Sequence, residues 1–408
     1  MQSCKFSSIS SIWLLDLKLT LNRSRLDDLD LSHNELTSVK SISSLPSLSA
    51  LNLNFNQLAG IDVSAPMPCL RSLKFSDNNL QDIDTAMFPS LTLLYLDQNS
   101  LSSVSGLGNC ESLEIISARE QASGIFGIDL GLVRDVRKVF LSSNRLSAQT
   151  VSPSVPLLSL QLLDVASCKI ESLPTEFSLN FPNVKVLNLN FNALTAVTEL
   201  AGLNCLSRLG VAGNRITRMR KLCQVLSRVG RASRRSTCSL HKVDIRGNPL
   251  TVRFYPPPVT GSGRDLESKK LRGKGSGGID HIRPGSKTGN DLTAALADIG
   301  RSANEDIAHP ALWDTEDDHK NTEIEINDPY TLPGADPHSD TKYFTHLDEP
   351  TRLRRRVLEL MIYAGTGGSV KYLDGLELRP KLEEGSDMDR AWTRLEKLGV
   401  LRRKAITN

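Results

Sequence analysis

The stretch Leu51-Asn-Leu-Asn-Phe-Asn56 returns almost letter for letter as Leu187-Asn-Leu-Asn-Phe-Asn192. Both are copies of one frame, L-x-x-L-x-L-x-x-N-x-L. On the N-terminal side it fits Leu26/Leu29/Leu31/Asn34/Leu36, Leu48/Leu51/Leu53/Asn56/Leu58, Leu70/Leu73/Phe75/Asn78/Leu80 and Leu91/Leu94/Leu96/Asn99/Leu101. It resumes at Val136/Val139/Leu141/Asn144/Leu146, with Cys168 in the Asn slot of the next unit, then runs through Asn192, Asn214 and Asn248. The Asn residues at 34, 56, 78 and 99 are 22, 22 and 21 residues apart, and no unit of that size can bury its apolar side alone.

The period and the frame together predict an α/β leucine-rich-repeat solenoid of short, 21–24-residue units around a curved parallel sheet, with a C-terminal cap and helix. Leucines of each short strand point inward. The Asn side chain at the turn pairs backbone groups that would otherwise be buried without partners. The unit Leu113/Ile116/Ala118/Gln121 lacks its Asn and is followed by Gly124, Gly127 and Gly131, which predicts an irregularity in the ladder.

Boundaries follow from where the frame fails. Residues 1–25 are expected to be an N-terminal cap or a truncated first repeat, and 26–255 the solenoid of about ten repeats. A helical and basic insertion is expected at 217–239, where Met219, Leu222, Val225, Leu226 and Val229 recur at helical spacing. Residues 256–345 are rich in Gly, Ser, Lys, Asp and Pro, a composition that buries too little apolar surface to offset ordering, so a disordered insertion is expected there. Order should return with a cap over 346–380 and a C-terminal helix over 381–408. In the cap, Leu353, Val357, Leu360, Met361 and Ala364 line one helix face. In the helix, Ser386 is the expected N-cap and Met388, Ala391, Trp392, Leu395 and Leu398 share a face.

The 408 residues carry 49 basic and 46 acidic side chains, so global charge selects no partner class. Asp16 and Lys18 interrupt the apolar run near the start, which argues against a signal peptide, and no run is long enough to span a membrane. Seven scattered cysteines fit a reduced, intracellular protein. Gly273-Lys-Gly-Ser-Gly-Gly278 matches a nucleotide-binding glycine pattern but lacks the strand and helix that would give it meaning. His281, His309, His319 and His338 sit on no rigid frame. No catalytic constellation, metal site or cofactor is therefore expected, and the frame points to protein binding.

Residues between the frame leucines face the concave side of such a sheet. There Tyr95 and Phe140 stand out as aromatic anchors, and with Lys74, Asp97, Arg119, Arg137 and Lys138 they form a candidate partner-binding patch. A second candidate is a basic ridge of Arg218, Arg220, Lys221, Arg228, Arg234, Arg235, Lys242 and Arg246, part of a run from Arg215 to Arg253 with eleven cations and the single acid Asp244. Such a ridge suits an acidic or phosphorylated protein segment; without stacking aromatics, nucleic acid is the weaker reading. The stretch from Glu305 to Asp328 holds nine acids against Lys320, together with Trp313, and is either a solvated acidic linker or an internal cover for part of that ridge.

The connectors Leu45-Pro-Ser-Leu48 and Phe88-Pro-Ser-Leu91, the blurred unit Ser117-Ala-Arg-Glu-Gln121, the following Arg137-Lys-Val-Phe-Leu-Ser-Ser-Asn144 and the late Tyr372-Leu-Asp-Gly375 together resemble one family. It is the repeat domain of the fungal spindle-pole-body scaffold of the septation-initiation, or mitotic-exit, network, related to centriolin-like proteins. The resemblance covers residues 10 to 380. It implies a non-enzymatic scaffold at the spindle pole body, docked on a pole-body anchor and associated with the network's GTPase and kinase modules. Family members recruit those modules through long N-terminal sequence that is not part of this chain, so either a fragment of a longer scaffold or a likeness confined to the fold is expected. The rival expectation is a repeat-built regulatory subunit of a protein phosphatase.

Overall fold

The computed structural model describes residues 26–61, 63–231, 238–256 and 330–401. The expected N-terminal cap, Arg234, Arg235 and the acidic stretch 305–328 lie outside the described residues.

Each repeat contributes one three-residue strand: β1 (Asp28–Asp30), β2 (Ala50–Asn52), β3 (Ser72–Lys74), β4 (Leu93–Tyr95), β5 (Ile115–Ser117), β6 (Lys138–Phe140), β7 (Leu162–Asp164), β8 (Val186–Asn188), β9 (Arg208–Gly210) and β10 (Lys242–Asp244). Two further strands, β11 (Tyr372–Leu373) and β12 (Leu376–Glu377), complete one sheet in strictly sequential order. All pairs are parallel except the β11–β12 hairpin. The central residue of every strand is in register with the next, so Leu187, Leu209, Val243 and Leu373 stand in one inward row. The C-terminal segment thus supplies the last rung of a ladder begun in the repeats.

The Asn ladder is the polar counterpart of that row. Asn56 donates through Nδ2 to Leu31 O and Leu53 O, both at 3.0 Å, while its Oδ1 accepts from Leu36 N at 3.0 Å. Asn192 repeats the pattern with Val165 O at 2.9 Å and Leu189 O at 3.0 Å. The irregularity expected at the fifth unit does not interrupt it. Gln121 donates to Leu96 O at 2.8 Å and accepts from Leu101 N at 3.0 Å, the same pair of bonds that Asn56 makes. Cys168 fills its slot as a donor only, to Leu141 O at 3.2 Å. The residue before each ladder position is left-handed, at φ 56° for Phe55 and 54° for Glu120, which throws its side chain onto the rim of the sheet.

On the convex side the repeats close through 3-10 turns and two single-turn helices, α1 (Ala148–Val151) and α2 (Phe177–Asn180). Asp84 and Asp129 cap two of the turns by accepting from Ala86 N and Gly131 N, each at 3.0 Å. The insertion forms α3 (Met219–Leu226), whose Leu222, Cys223, Val225 and Leu226 join the repeat core.

Of the disordered insertion expected over 256–345, residues 257–329 lie outside the described residues, and the expectation fails over 330–345. Residues 330–401 are ordered: a strap crosses the concave face and leads into α4 (Pro337–His346). Composition hid this because the anchors are few and polar, and their partners are supplied by the solenoid. A local signal existed in Asp336, which caps α4 by accepting from His338 N and Ser339 N, with Pro337 at the first turn.

The expected cap helix is α5 (Glu349–Thr366), ended by Gly367 at φ 68°. It buries two faces. Leu358 and Ile362 join the solenoid core, whereas Leu360, with Leu353, Val357 and Met361 beside it, packs on Met388, Ala391, Trp392 and Leu395 of α6 (Asp387–Lys397). Ser386 caps α6 by accepting from Asp389 N at 3.2 Å. Between those faces, Arg355 is 3% exposed. It pairs with Asp340 of α4 at 2.9 and 2.7 Å and with Glu359 at 3.1 Å, donates to Phe254 O at 2.9 Å, and lies 4.5 Å from the Tyr255 ring centroid. One guanidinium joins strap helix, cap helix and the end of the repeats.

Candidate functional site

A parallel sheet alternates its side chains, so strand residues flanking the inward row stand on the concave face. The expectation of exposed aromatics there is overturned: Tyr95 is 4% exposed and Phe140 fully buried. Phe140, Leu162 and Val186, with Ile115 beside them, form a small apolar cluster separate from the repeat core. Tyr95 stands two strands from Phe140 with Ser117 between them, and Arg119 seals the cluster. Its guanidinium lies 4.7 Å from the Phe140 centroid and bonds Asp164 at 2.9 Å, two repeats away.

Asp97 is buried beside this patch, accepting from Ser117 Oγ at 2.6 Å and Arg119 N at 2.7 Å. Burial outweighs Arg119 and those bonds, raising its pKa. Burial, with Asp97 and Glu120 nearby, pushes Asp77 up to about 6. Lys74 pairs in register with Tyr95 and so joins the patch, and Lys138 stands between Ile115 and Leu162 in the adjacent concave row. Arg137 does not join them. It precedes β6, is exposed, and makes a long 3.8 Å ion pair with Glu114.

The basic ridge is also redistributed. Arg218, Arg220, Lys221 and Arg228 lie exposed on and around α3, behind the core that its buried face enters. Lys242 and Arg246 belong to β10 and its exit, on the opposite side of Val243, where Lys242 neighbours Arg208. The ten-strand core separates the two groups. A run of cations in sequence is therefore two surfaces in space.

What the patch holds is the strap. Asn188 and Asn190 each donate an amide to Tyr330 O, at 3.2 and 3.0 Å, and the Tyr330 hydroxyl donates to Glu120. Arg119 lies 5.5 Å from the Tyr330 centroid. Tyr330 itself is 7% exposed, and burial beside Glu120 raises its pKa. Further along, Arg246, anchored on Asp244 at 2.6 Å, donates to Pro333 O at 2.8 Å and Leu332 O at 3.3 Å. Asn188, Asn190 and Glu120 were readable as concave or rim positions from the frame; what they hold was not.

The strap leaves the face over the hairpin. Gly375 has φ 79°, and a Cβ there would fall 2.7 Å from Ala335 N. Asp374 closes the sheet. Its Oδ1 accepts from Ile245 N at 2.6 Å, where in an interior repeat Val211 N finds the carbonyl of Asp244 at 2.9 Å. Burial first, then Asp244, pushes the Asp374 carboxyl up to about 7.

Among the described residues no cluster of three or more His, Cys, Asp or Glu could hold a metal, and no helix is long and apolar enough to cross a membrane. The arrangement can grip an extended polypeptide through its carbonyls and one aromatic ring.

The leucine rich repeat family model matches residues 159–216. Among curated proteins, the septation initiation network scaffold protein cdc11 of Schizosaccharomyces pombe is 38% identical over 235 residues. That match takes in 58% of this chain and 22% of cdc11, so the chain spans well under half of that relative. Among solved structures, a Leptospira interrogans LRR protein is 23% identical over 55% of this chain and 57% of its own, with a TM-score of 0.45. The leucine-rich repeat domain of APL1B is 18% identical over 60% of this chain and 75% of its own, with a TM-score of 0.43. The chain folds as a leucine-rich-repeat solenoid, and over 235 residues it is similar to the septation initiation network scaffold protein.

Proposed function

We propose that this chain is a non-enzymatic, protein-binding scaffold element in septation-initiation signalling, positioned at the spindle pole body. The observation that carries the reading is the 38% identity to a protein named as that network's scaffold. A surface built to hold extended polypeptide, with Asn188, Asn190 and Arg246 all donating to backbone carbonyls, is the second support. Its partners on this reading are proteins: a pole-body anchor and the network's GTPase and kinase modules.

Fluorescent tagging of the full chain in fission yeast tests it. One or two puncta per cell coinciding with a spindle-pole marker are expected. Diffuse signal, with affinity capture from mitotic cells dominated by a phosphatase catalytic subunit, would replace this reading with the regulatory-subunit one.

A further inference from the structure

Three observations converge on the concave face. The carbonyls of Tyr330, Leu332 and Pro333 are held by side chains of the repeats, by Asn188 and Asn190 at one end and Arg246 at the other. The Tyr330 ring is received beside Arg119, and its hydroxyl finds Glu120. Those receiving groups are themselves fixed: Arg119 by Asp164, Arg246 by Asp244, Asn188 by accepting from Asn190 N at 3.1 Å, and Asn190 by accepting from Ala212 N at 2.8 Å.

Side-chain amides and guanidinium groups that meet a ligand's carbonyls recognise extended backbone of any sequence. Specificity then falls to the one pocketed side chain. Here that side chain is a tyrosine, since only a ring bearing a hydroxyl both fills the space against Arg119 and reaches Glu120. The tether matters as much as the contacts. Tyr330 follows Pro256 by 74 residues and precedes α5, so the strap is always near its groove at an effective concentration of about millimolar order.

We propose that the concave face is a groove for an extended polypeptide segment presenting a tyrosine, and that Tyr330–Ala335 is a built-in competitor which such a partner displaces. The inference deepens the scaffold reading by naming the chemistry of what the concave face takes, and it rests on that reading for the existence of a partner. Displacement uncovers Tyr330's seat without unfolding the cap, because α4 remains held by Arg355 through Asp340. The strap therefore limits access to partners that bring both backbone and ring, and it keeps the apolar cluster around Phe140 from lying open.

The test uses a fluorescein-labelled synthetic peptide with the sequence of residues 327–336, added to the full-length chain and followed by anisotropy. The Tyr330→Ala chain should bind it about tenfold or more tightly than the native chain does, since the internal competitor is weakened. Adding Asn188→Ala and Asn190→Ala to that chain should abolish binding, as should replacing the tyrosine of the peptide by alanine. If Tyr330→Ala fails to give a native circular dichroism spectrum, Tyr330→Phe, which keeps the ring and loses the Glu120 bond, should still show a gain of a few fold. Equal binding by native and substituted chains, no binding by either, or binding indifferent to the peptide's tyrosine would overturn the proposal. None of these readouts depends on where the protein resides in a cell, so failure here and failure of the spindle-pole reading are separable.

Discussion

The repeats and the cap reach the same end, a buried apolar row backed by paired sheet backbone, by opposite means. In the repeats, one solution is copied: an inward leucine and a ladder side chain whose bonds recur at each step, as at Asn56, Asn192 and Asn248. In the cap, each contact occurs once. Arg355 gathers Asp340, Glu359, Phe254 O and the Tyr255 ring, and the Asp374 side chain stands in for the carbonyl that the next strand supplies within the repeats. The difference implies that damage to a repeat is shared with neighbours of the same design, whereas damage to the cap has no substitute.

The largest expected effect follows from that asymmetry. Arg355→Ala strands the carboxylate of Asp340, 8% exposed, and leaves Glu359 with Arg356 alone, and should cost about 3–5 kcal/mol in denaturant unfolding. Release of α4 and the strap should be visible as protease sensitivity near residue 337 before the repeats unfold. If Arg355→Ala loses no more stability than a surface substitution, the cap is held by apolar packing alone.

Ladder substitutions should come next. Asn192→Ala leaves Val165 O and Leu189 O without their donor and should cost about 1–3 kcal/mol. Gln121→Ala should cost the same, because its amide makes the equivalent bonds to Leu96 O and Leu101 N. A melting temperature unchanged in Gln121→Ala alone would show that the fifth unit is outside the ladder.

That second comparison also shows what sequence could reveal. The period located every strand from β1 to β10 because the same physical requirement recurs, and repetition makes a weak signal strong. Gln121 was read as a gap because a longer amide does not match the letter, although it supplies the same donor and acceptor. On the concave face Asp97 and Phe140 meet at Arg119, but the ring that lies against Arg119 from outside comes from a segment about 200 residues away that carries no repeat. Arg355 escaped notice for a related reason. A helix was read as having one apolar face, and an arginine between two buried faces looks in sequence like an ordinary solvated charge. The basic ridge failed because nearness along the chain says nothing about which side of a sheet a residue takes.

A smaller effect distinguishes cap from repeats by pH. The Asp374 carboxyl rises from 3.8 to about 7 in the fold, so the folded chain holds that proton more tightly than the unfolded chain. Its contribution to stability is thus complete below about pH 4 and fades as pH rises through about 7. Asp77, raised to about 6, has the same sign. Denaturation midpoints measured across that range should fall less steeply in Asp374→Asn, which keeps an acceptor for Ile245 N and cannot ionise. An identical slope in both proteins would remove Asp374 as the source.

The smallest effect is expected on the convex side. Arg218→Ala, Arg220→Ala and Lys221→Ala each alter an exposed cation and should change stability by no more than about 0.5 kcal/mol.

The central claim is that the C-terminal segment closes the solenoid twice, at the end of its sheet through β11 and along its concave face through the strap. Inserting a specific protease site at residue 290, cutting the folded chain there and passing it over a sizing column tests this directly. The two pieces should elute as one species at native size, held by the β10–β11 pairing, the buried Arg355 cluster and the Tyr330 contacts, and should part only in denaturant. Elution of the cut chain as two separate species in plain buffer would contradict it.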